Sequence, residues 1–360
     1  MLASLLPIRD RVVLATARTP VLEGNLLAIH GAIRRRRPDL RVRLLLEPYS
    51  YGIGGKVRYL LRLLRAMVLI RTSRWVVVDN AFLPVHLLPS RPGTTVIQVW
   101  HAVGALKRFG WDANEPPAAV ERRFLHHGYD WVVCSAESAR APYAAAFRIP
   151  IERVLPLGTP RVDGFSDPAA IEAARAAVLE RFPAFRGRRV VLVAPTFRGR
   201  GRAKEAGVGL DGAALRAALP DDHLLVLKTH PNLDPKATLT AGYDLVLDRR
   251  VDLNEVLVAA DVLVTDYSSS IFEWAILRRP LVLFVPDLAE YARSPGLYVD
   301  YGTGMIGTQV VDTPGVAAAI LDATVDPVVW DAFVERHVGL VDGGASDRFV
   351  ERFLGAPPSP

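Results

Sequence analysis

The chain has 360 residues, 50% of them hydrophobic, and carries 44 Lys and Arg against 38 Asp and Glu, a formal net charge of +6. This composition excludes a disordered chain, and the length predicts two domains that each bury a core. The single cysteine, Cys134, excludes an internal disulfide and is typical of a reducing compartment. Neither a secretory signal nor a membrane-spanning segment is predicted, because Arg9 interrupts the N-terminal residues and Arg62 and Arg65 interrupt residues 59–70.

Short apolar and β-branched runs alternate along the chain with stretches that are typical of helices. This alternation predicts an α/β fold with parallel sheets covered by helices on both faces. The predicted strands of the first half are Val12–Thr16, Val42–Glu47, Trp75–Asp79, Thr95–Trp100 and Trp131–Ser135. Those of the second half are Val190–Thr196, Leu224–His230, Asp244–Asp248, Asp261–Asp266 and Leu281–Asp287.

A domain boundary is predicted between these two sets of strands. An Ala-rich helical pattern at Pro168–Phe182 leads into the Arg-rich segment Phe185–Arg189, which we interpret as a hinge. The predicted domains are residues 1–165 and 186–345, two doubly wound, Rossmann-like domains that face each other across a cleft. Because open α/β sheets bind ligands beyond the carboxyl ends of their strands, the residues at those ends are the candidate site.

Polar residues stand at the carboxyl ends of several predicted strands. They are His101, Ser135, Arg198, His230 and the run Asp266–Ser270. A single residue of this kind is explained by a hydrogen-bonded loop. Two histidines that end strands in different halves of the chain favour a catalytic role as much as this structural one.

The run Asp266–Ser270 leads directly from a buried strand into a predicted helix. Ser270 and Glu273 fit an S-x-x-E capping box, which explains both residues structurally. The box leaves Ser268 and Ser269 unexplained.

Hydroxyl groups at the start of a helix are typical of a phosphate site, because backbone N–H groups and the positive end of the helix dipole attract anions. Ser268 and Ser269 fit this description. Arg198 and Lys228 add positive charge there if their strands are neighbours. The pattern therefore predicts a site that binds a diphosphate and stabilises it as a leaving group.

A longer ordered pattern contains these residues. Gln98–Gly110 looks like the segment W-H-G-x-x-x-K-x-x-G, and Gly158–Asp163 looks like G-x-P-R-x-D. Further blocks follow in order at Ala194–Arg198, Lys228–Pro231, Asp252–Glu255 and Thr265–Ser269. Together these blocks resemble the CDP-glycerol glycerophosphotransferases that polymerise teichoic acids, and the resemblance covers most of residues 76–307.

This resemblance implies a GT-B fold and a transferase that moves glycerol phosphate or ribitol phosphate from a CDP-alditol to a hydroxyl of a teichoic-acid-like or wall-polymer acceptor, with release of CMP. The acceptor is expected to be lipid-linked or polymeric. The first domain would then serve the acceptor and the second the nucleotide donor. No cofactor, metal ligand set or nucleic-acid partner is predicted.

The resemblance also implies roles for individual residues. It assigns His101 as the general base and His230 as a second catalytic histidine. The predicted donor-binding residues are Thr196, Arg198, Lys228, Asp266, Ser268, Ser269 and Ser270. The sequence departs from the family pattern at Ala102, where a glycine is usual, and at Ser294–Tyr298, where R-G-F-Y is typical.

Two alternatives stay open. The first is a GT-B glycosyltransferase that uses a nucleotide sugar to build a capsule or wall glycan, which releases UDP or GDP instead of CMP. The second is a catalytically silent relative that only binds donor or polymer. The presence of both His101 and His230 argues against the silent relative, and Ala102 keeps it open.

Two basic segments, Arg34–Arg37 and Lys56–Arg74, suggest contact with an anionic membrane. The alternative, which we favour from sequence, is that the second segment is a solvated helix whose apolar stripe packs on the first sheet. The predicted location is the cytoplasm, with peripheral contact at the inner face of the cell membrane as a further hypothesis.

Overall fold

The computed structural model describes residues 6–46, 53–87, 91–114, 125–198, 205–206, 209–229, 240–248 and 250–355, with side chains described except at 53–56, 58, 197–198 and 205–206. The chain forms two compact units, residues 1–166 with 336–360, and residues 167–335. The predicted end of the first domain, residue 165, adjoins this boundary. The helix at Pro168–Arg181 belongs to the second unit, and residues 336–345 belong to the first unit.

Strands and helices alternate in both units. The strands are β1 (Arg9–Thr16), β2 (Arg41–Leu46), β3 (Ser73–Val78), β4 (Thr95–Gln98), β5 (Trp131–Cys134), β6 (Val154–Pro156), β7 (Arg189–Val193), β8 (Phe197–Arg198), β9 (Glu205–Ala206), β10 (His223–Lys228), β11 (Leu245–Leu247), β12 (Val262–Thr265), β13 (Leu281–Phe284) and β14 (Thr308–Val310). The helices are α1 (Gly24–Arg36), α2 (Ile53–Arg71), α3 (Leu83–His86), α4 (Arg140–Phe147), α5 (Pro168–Arg181), α6 (Gly212–Ala218), α7 (Leu253–Leu257), α8 (Ser270–Ile276), α9 (Leu288–Tyr291), α10 (Thr313–Leu321), α11 (Pro327–His337) and α12 (Ala345–Leu354).

The first unit contains a parallel sheet with the strand order β2-β1-β3-β4-β5-β6. Strand β1 is fully buried from Val12 to Ala15, as a strand covered on both faces should be. Its core combines residues of α1 with Phe349 and Val350 of α12. Because β2 lies on one side of β1 and β3 on the other, the topological switch point of this sheet falls between β1 and β3.

The second unit contains a parallel sheet with the order β11-β10-β7-β12-β13-β14. Here the switch point falls between β7 and β12. Helices α6 and α10 cover one face, where Leu215, Val316 and Ile320 are fully buried. Strands β8 and β9 form a separate antiparallel pair.

All the strands predicted from sequence are present among the described residues, and several end earlier than predicted. The short edge strands β6 and β14 were not predicted. Each has only 3 residues, too few to produce a recognisable β-branched run. Among the described residues, no helix combines the length and the apolar character needed to cross a membrane.

Candidate active site

His101 lies just beyond the carboxyl end of β4, in a segment that side chains hold in place. Trp100 adopts a left-handed backbone with φ of 51°, a conformation that costs about 1–2 kcal/mol for a residue other than glycine. Its N–H donates to Oε1 of Gln98 at 2.8 Å. Nδ2 of Asn25 donates to the backbone oxygens of Val99 at 3.2 Å and Trp100 at 3.0 Å. These hydrogen bonds fix the backbone that presents the imidazole.

The imidazole of His101 has a defined tautomer. Its Nδ1 lies 3.1 Å from the backbone oxygen of Asp79. Since a carbonyl oxygen only accepts, Nδ1 carries the proton and Nε2 of the neutral ring keeps its lone pair. Burial, together with the charges of Arg18 and Arg161, lowers the pKa of His101 to about 3, and the Asp79 carbonyl opposes this change. The ring is therefore neutral at pH 7, in the form that accepts a proton at Nε2.

Arg161, from the G-x-P-R-x-D block, ties this segment to the rest of the unit. Its Nη1 donates to the backbone oxygen of His101 at 2.7 Å, and its backbone N–H donates to Oδ1 of Asn25 at 2.9 Å. In the same block, Asp163 accepts the N–H groups of Ala345 and Ser346 at 3.0 and 2.9 Å, which anchors the start of α12. The block is thus explained as support for His101 and for the C-terminal helix.

Sequence reasoning did not assign site roles to Asn25, Asp79 or Arg161. Arg161 was visible as part of a matched block, and Asp79 as the polar end of a predicted strand. Asn25 lies in α1 and belongs to no matched block, so only the fold shows its role.

In the second unit, Thr196 and Asp266 bridge the switch point between β7 and β12. The backbone N–H of Thr196 donates to Oδ1 of Asp266 at 2.9 Å, and its hydroxyl donates to Oδ2 at 3.0 Å. The Tyr301 hydroxyl donates to the backbone oxygen of Asp266 at 2.8 Å. Both predicted residues are buried, so they shape the turn at this edge.

The predicted capping box at Ser270 and Glu273 is wrong. Helix α8 begins at Ser270, so Ser270 lies inside the helix and is not its N-cap, and Ser269 before it makes no side-chain capping hydrogen bond. Ser269 already has helical backbone angles, φ −66° and ψ −12°, and a capping hydroxyl needs an extended backbone at that residue. Instead, the hydroxyl of Ser268 accepts the N–H of Ser270 at 3.2 Å and pairs with the Ser270 hydroxyl at 2.8 Å.

The three predicted serines therefore differ in exposure. Ser270 is buried, whereas Ser268 and Ser269 are partly exposed at the carboxyl edge of the second sheet.

Lys228 ends β10, two strands away from β12 in the second sheet. Its ammonium donates to the backbone oxygen of Thr229 at 2.9 Å. Burial lowers the pKa of Lys228, and the charges of Asp248 and Asp252 oppose this change. Arg198 lies in β8, but its side chain is outside the described residues, as is the whole of His230.

Ala102, the departure next to His101, has ordinary backbone geometry. It is not among the described non-glycine residues with positive φ, and its carbonyl accepts the Tyr143 hydroxyl at 3.2 Å. The backbone at this position therefore does not require glycine.

Two doubly wound parallel sheets with polar residues at their switch points define an α/β protein of the GT-B class. A family model for CDP-glycerol:poly(glycerophosphate) glycerophosphotransferases matches residues 1–355, and the chain belongs to this family. The predicted fold class, family and enzyme class, an alditol-phosphate transferase of the teichoic acid type, are confirmed.

Individual relatives agree with this assignment. The teichoic acid ribitol-phosphate primase of Bacillus spizizenii is 32% identical over 368 residues, covering 98% of this chain and 94% of that protein. The teichoic acid poly(ribitol-phosphate) polymerase of the same species is 30% identical over 97% of this chain and 57% of its own length. The structure of the wall teichoic acid polymerase TagF has a TM-score of 0.76 at 21% identity, covering 96% of this chain and 89% of that chain, and shows the same fold.

Proposed function

We propose that this enzyme transfers an alditol phosphate from a CDP-alditol to a hydroxyl of an alditol-phosphate polymer or its lipid-linked primer. The observation that carries the proposal is the tautomer of His101. Its Nδ1–H is committed to the Asp79 carbonyl, so the lone pair of Nε2 is the proton acceptor that an attacking hydroxyl needs.

The proposed reaction is a single in-line displacement at phosphorus. Nε2 of His101 takes the proton of the acceptor hydroxyl, and the oxygen attacks the phosphorus that bears the alditol. The bond from that phosphorus to the bridging oxygen breaks, and CMP leaves with the electron pair.

The donor is assigned to the second unit. Ser268 and Ser269 present hydroxyl donors, and Lys228 supplies a positive charge at the carboxyl edge of the same sheet. We assign Arg198 and His230 to diphosphate binding and catalysis from the family pattern alone. Thr196, Asp266 and Ser270 are assigned to shaping this site, because their side chains bond within the turn.

The test of the proposed function is release of CMP from labelled donors. Since the two relatives described above are named for ribitol phosphate, CDP-ribitol is the first donor to assay, beside CDP-glycerol, UDP-sugars and GDP-sugars. The wild-type chain should release CMP and lengthen the acceptor by one alditol phosphate. Release of UDP or GDP would instead indicate a glycosyltransferase, and binding without turnover would indicate the silent relative.

The role of His101 has its own test. His101→Ala should lower kcat by about 10²–10⁴-fold and leave the dissociation constant of the CDP-alditol nearly unchanged in calorimetry. His30→Ala, in α1 of the same unit, is the matched control and should retain activity. Equal loss of binding and turnover in His101→Ala would assign this histidine a structural role.

We further propose that α2 holds the enzyme at the inner face of the membrane. Ala66 and Ile70 of this helix are buried, but Leu60, Leu61 and Leu64 are 56%, 64% and 53% exposed. Val57 and Val68 continue this stripe with spacings of three and four residues. The expectation that the apolar stripe of α2 packs on the sheet therefore fails for these residues, and the exposed Arg65 beside them suits anionic headgroups.

The basic run Arg34–Arg37 contributes less to the proposed membrane contact than the sequence suggests. Arg37 is buried and bonds to Asp39 at 2.7 Å, and Arg35 and Arg36 both pair with Asp347 of α12. These ion pairs connect the C-terminal end of α1 to other residues of the first unit.

Flotation with vesicles tests the α2 surface. Wild-type protein should float with vesicles that contain phosphatidylglycerol, and Leu61→Asn with Leu64→Asn should abolish this. Val328→Asn with Val329→Asn, at exposed positions of α11, is the matched control and should still float. Flotation of the α2 variant would place the membrane contact elsewhere.

A further inference from the structure

Asp79 carries a buried carboxyl group that the proposed proton transfer does not use. The residue is only 4% exposed, and its Oδ1 has no hydrogen-bond partner among the described residues. A buried carboxylate oxygen without a donor is costly, since such groups normally find partners in the protein, in water or in a ligand. Burial raises the pKa of this carboxyl group, and the Thr16 hydroxyl and the charges of Arg18 and Arg161 oppose this change.

The topology places this carboxyl group where a ligand is expected. Thr16 ends β1 and Asp79 follows β3, so the two residues flank the switch point of the first sheet. Open α/β sheets bind ligands in the crevice at this point. The backbone of Asp79 also accepts Nδ1–H of His101, so the carboxyl group and the imidazole are fixed relative to each other.

The chemistry of the surroundings selects the ligand group. An ionised carboxylate only accepts, so its partner must be a donor. Arg18 and Arg161 act on both the Asp79 carboxyl group and the His101 ring, and their charges disfavour a cationic donor such as an amine. A neutral hydroxyl satisfies both conditions.

We propose that Oδ1 of Asp79 accepts a hydrogen bond from a second hydroxyl of the acceptor alditol, next to the hydroxyl that attacks. Asp79 is thus a residue that determines specificity, and it makes the enzyme select polyols over acceptors with a single hydroxyl. The inference rests on the proposed function and names its acceptor class.

The test measures kcat/KM of the wild type and of an Asp79 variant with a full acceptor and with acceptor analogues that lack one hydroxyl. The probes are a synthetic alditol-phosphate oligomer and its analogues that each lack one non-attacking hydroxyl of the terminal alditol. Wild type should lose about 10–100-fold in kcat/KM with one of these analogues, as expected for a hydrogen bond to a charged group. Asp79→Ala should lose a similar factor with the full oligomer, should not distinguish it from that analogue, and should keep its KM for the CDP-alditol.

Thr16→Val is the matched control, because it removes the neighbouring hydroxyl that lowers the pKa of the carboxyl group and leaves Oδ1 in place. This variant should still distinguish the two acceptors. If Thr16→Val loses the distinction as Asp79→Ala does, or if Asp79→Ala keeps it, the inference is overturned.

A folding defect does not prevent the test. If Asp79→Ala does not fold by circular dichroism, the nearly isosteric Asp79→Asn should fold and show a severalfold weaker distinction, and an unchanged distinction overturns the inference. Failure of wild type to release CMP from any CDP-alditol is a separate result, since it overturns the proposed function itself.

Discussion

Arg161 donates a hydrogen bond from its side chain to the backbone oxygen of His101 at 2.7 Å, while its backbone N–H donates to Asn25 at 2.9 Å. The side-chain amide of Asn25 in turn donates to the backbone oxygens of the two residues before His101, Val99 and Trp100. Arg161 and Asn25, which lie far apart in the chain, thus help to fix the position of the imidazole. Such supporting residues act on catalysis through geometry and charge without touching the reacting atoms.

Arg161→Ala is expected to lower kcat by about 10–100-fold, because a displaced base loses alignment with the attacking hydroxyl. Its loss also removes a positive charge that lowers the pKa of His101, so that pKa should rise. Activity that depends on the neutral base falls as pH drops through this pKa. The acid limb of the pH profile should therefore move to higher pH in the variant, and an unmoved limb would contradict the electrostatic part of this role.

Asp266→Asn is expected to weaken binding of the CDP-alditol about tenfold, as loss of one hydrogen bond in the turn predicts. Asp266 accepts both the N–H and the hydroxyl of Thr196 at the carboxyl edge of the sheet. Asp261 offers a matched control, since it accepts the N–H of Val190 at 2.7 Å between the same two strands but at the amino edge. Asp261→Asn should lower stability and leave the dissociation constant unchanged, as calorimetry can check.

The pairing of Thr196 with Asp266 also shows what the sequence could not predict. Both residues were recognised at the ends of predicted strands, and both lie there. Their hydrogen bonds depend on β7 and β12 being neighbours, although β10 and β11 lie between them in the chain. Strand spacing and hydrophobic pattern predict that strands exist, but the order in the sheet is set by packing of the whole unit.

The packing of the C-terminal helix α12 is a second feature that the sequence could not predict. Phe349, Val350 and Leu354 give α12 an apolar face, but their spacing in the sequence does not indicate which sheet the helix covers. They are buried in the core of the first unit. The failed capping box has a local cause instead, since the S-x-x-E pattern is met at Ser270 and Glu273 but the helix has already begun at Ser270.

Asp163→Ala is expected to lower the stability of the first unit by about 1–2 kcal/mol, because two N–H groups at the start of α12 lose their acceptor. Hydrogen exchange should therefore speed up in peptides that contain Ala345–Leu354. Asp167→Ala is the matched control, since Asp167 caps α5 by accepting the N–H of Ala169 at 2.9 Å. It should speed up exchange in α5 and leave α12 unchanged, and equal exchange in α12 for both variants would contradict the assignment.

Several buried histidines predict a loss of stability in mild acid. Burial lowers the pKa of His101 and His126 to about 3 and that of His337 to about 4, and it also lowers the pKa of His86. Each folded pKa lies below the unfolded value of about 6.5, so the unfolded chain binds more protons between these limits.

Stability should therefore be higher above pH 6.5 and should fall below it by up to about 1.4 kcal/mol per pH unit for each of His101, His126 and His337. Urea denaturation between pH 7.5 and 5.0 measures how the free energy of unfolding changes with pH. Carboxylates with ordinary pKa values titrate below this range, so they contribute little to the slope. His126→Phe removes one of these groups but keeps an aromatic ring against Phe147, whose ring centre lies 4.8 Å from that of His126. The variant should lose stability less steeply than wild type as pH falls, and parallel slopes for the two proteins would show that His126 does not contribute.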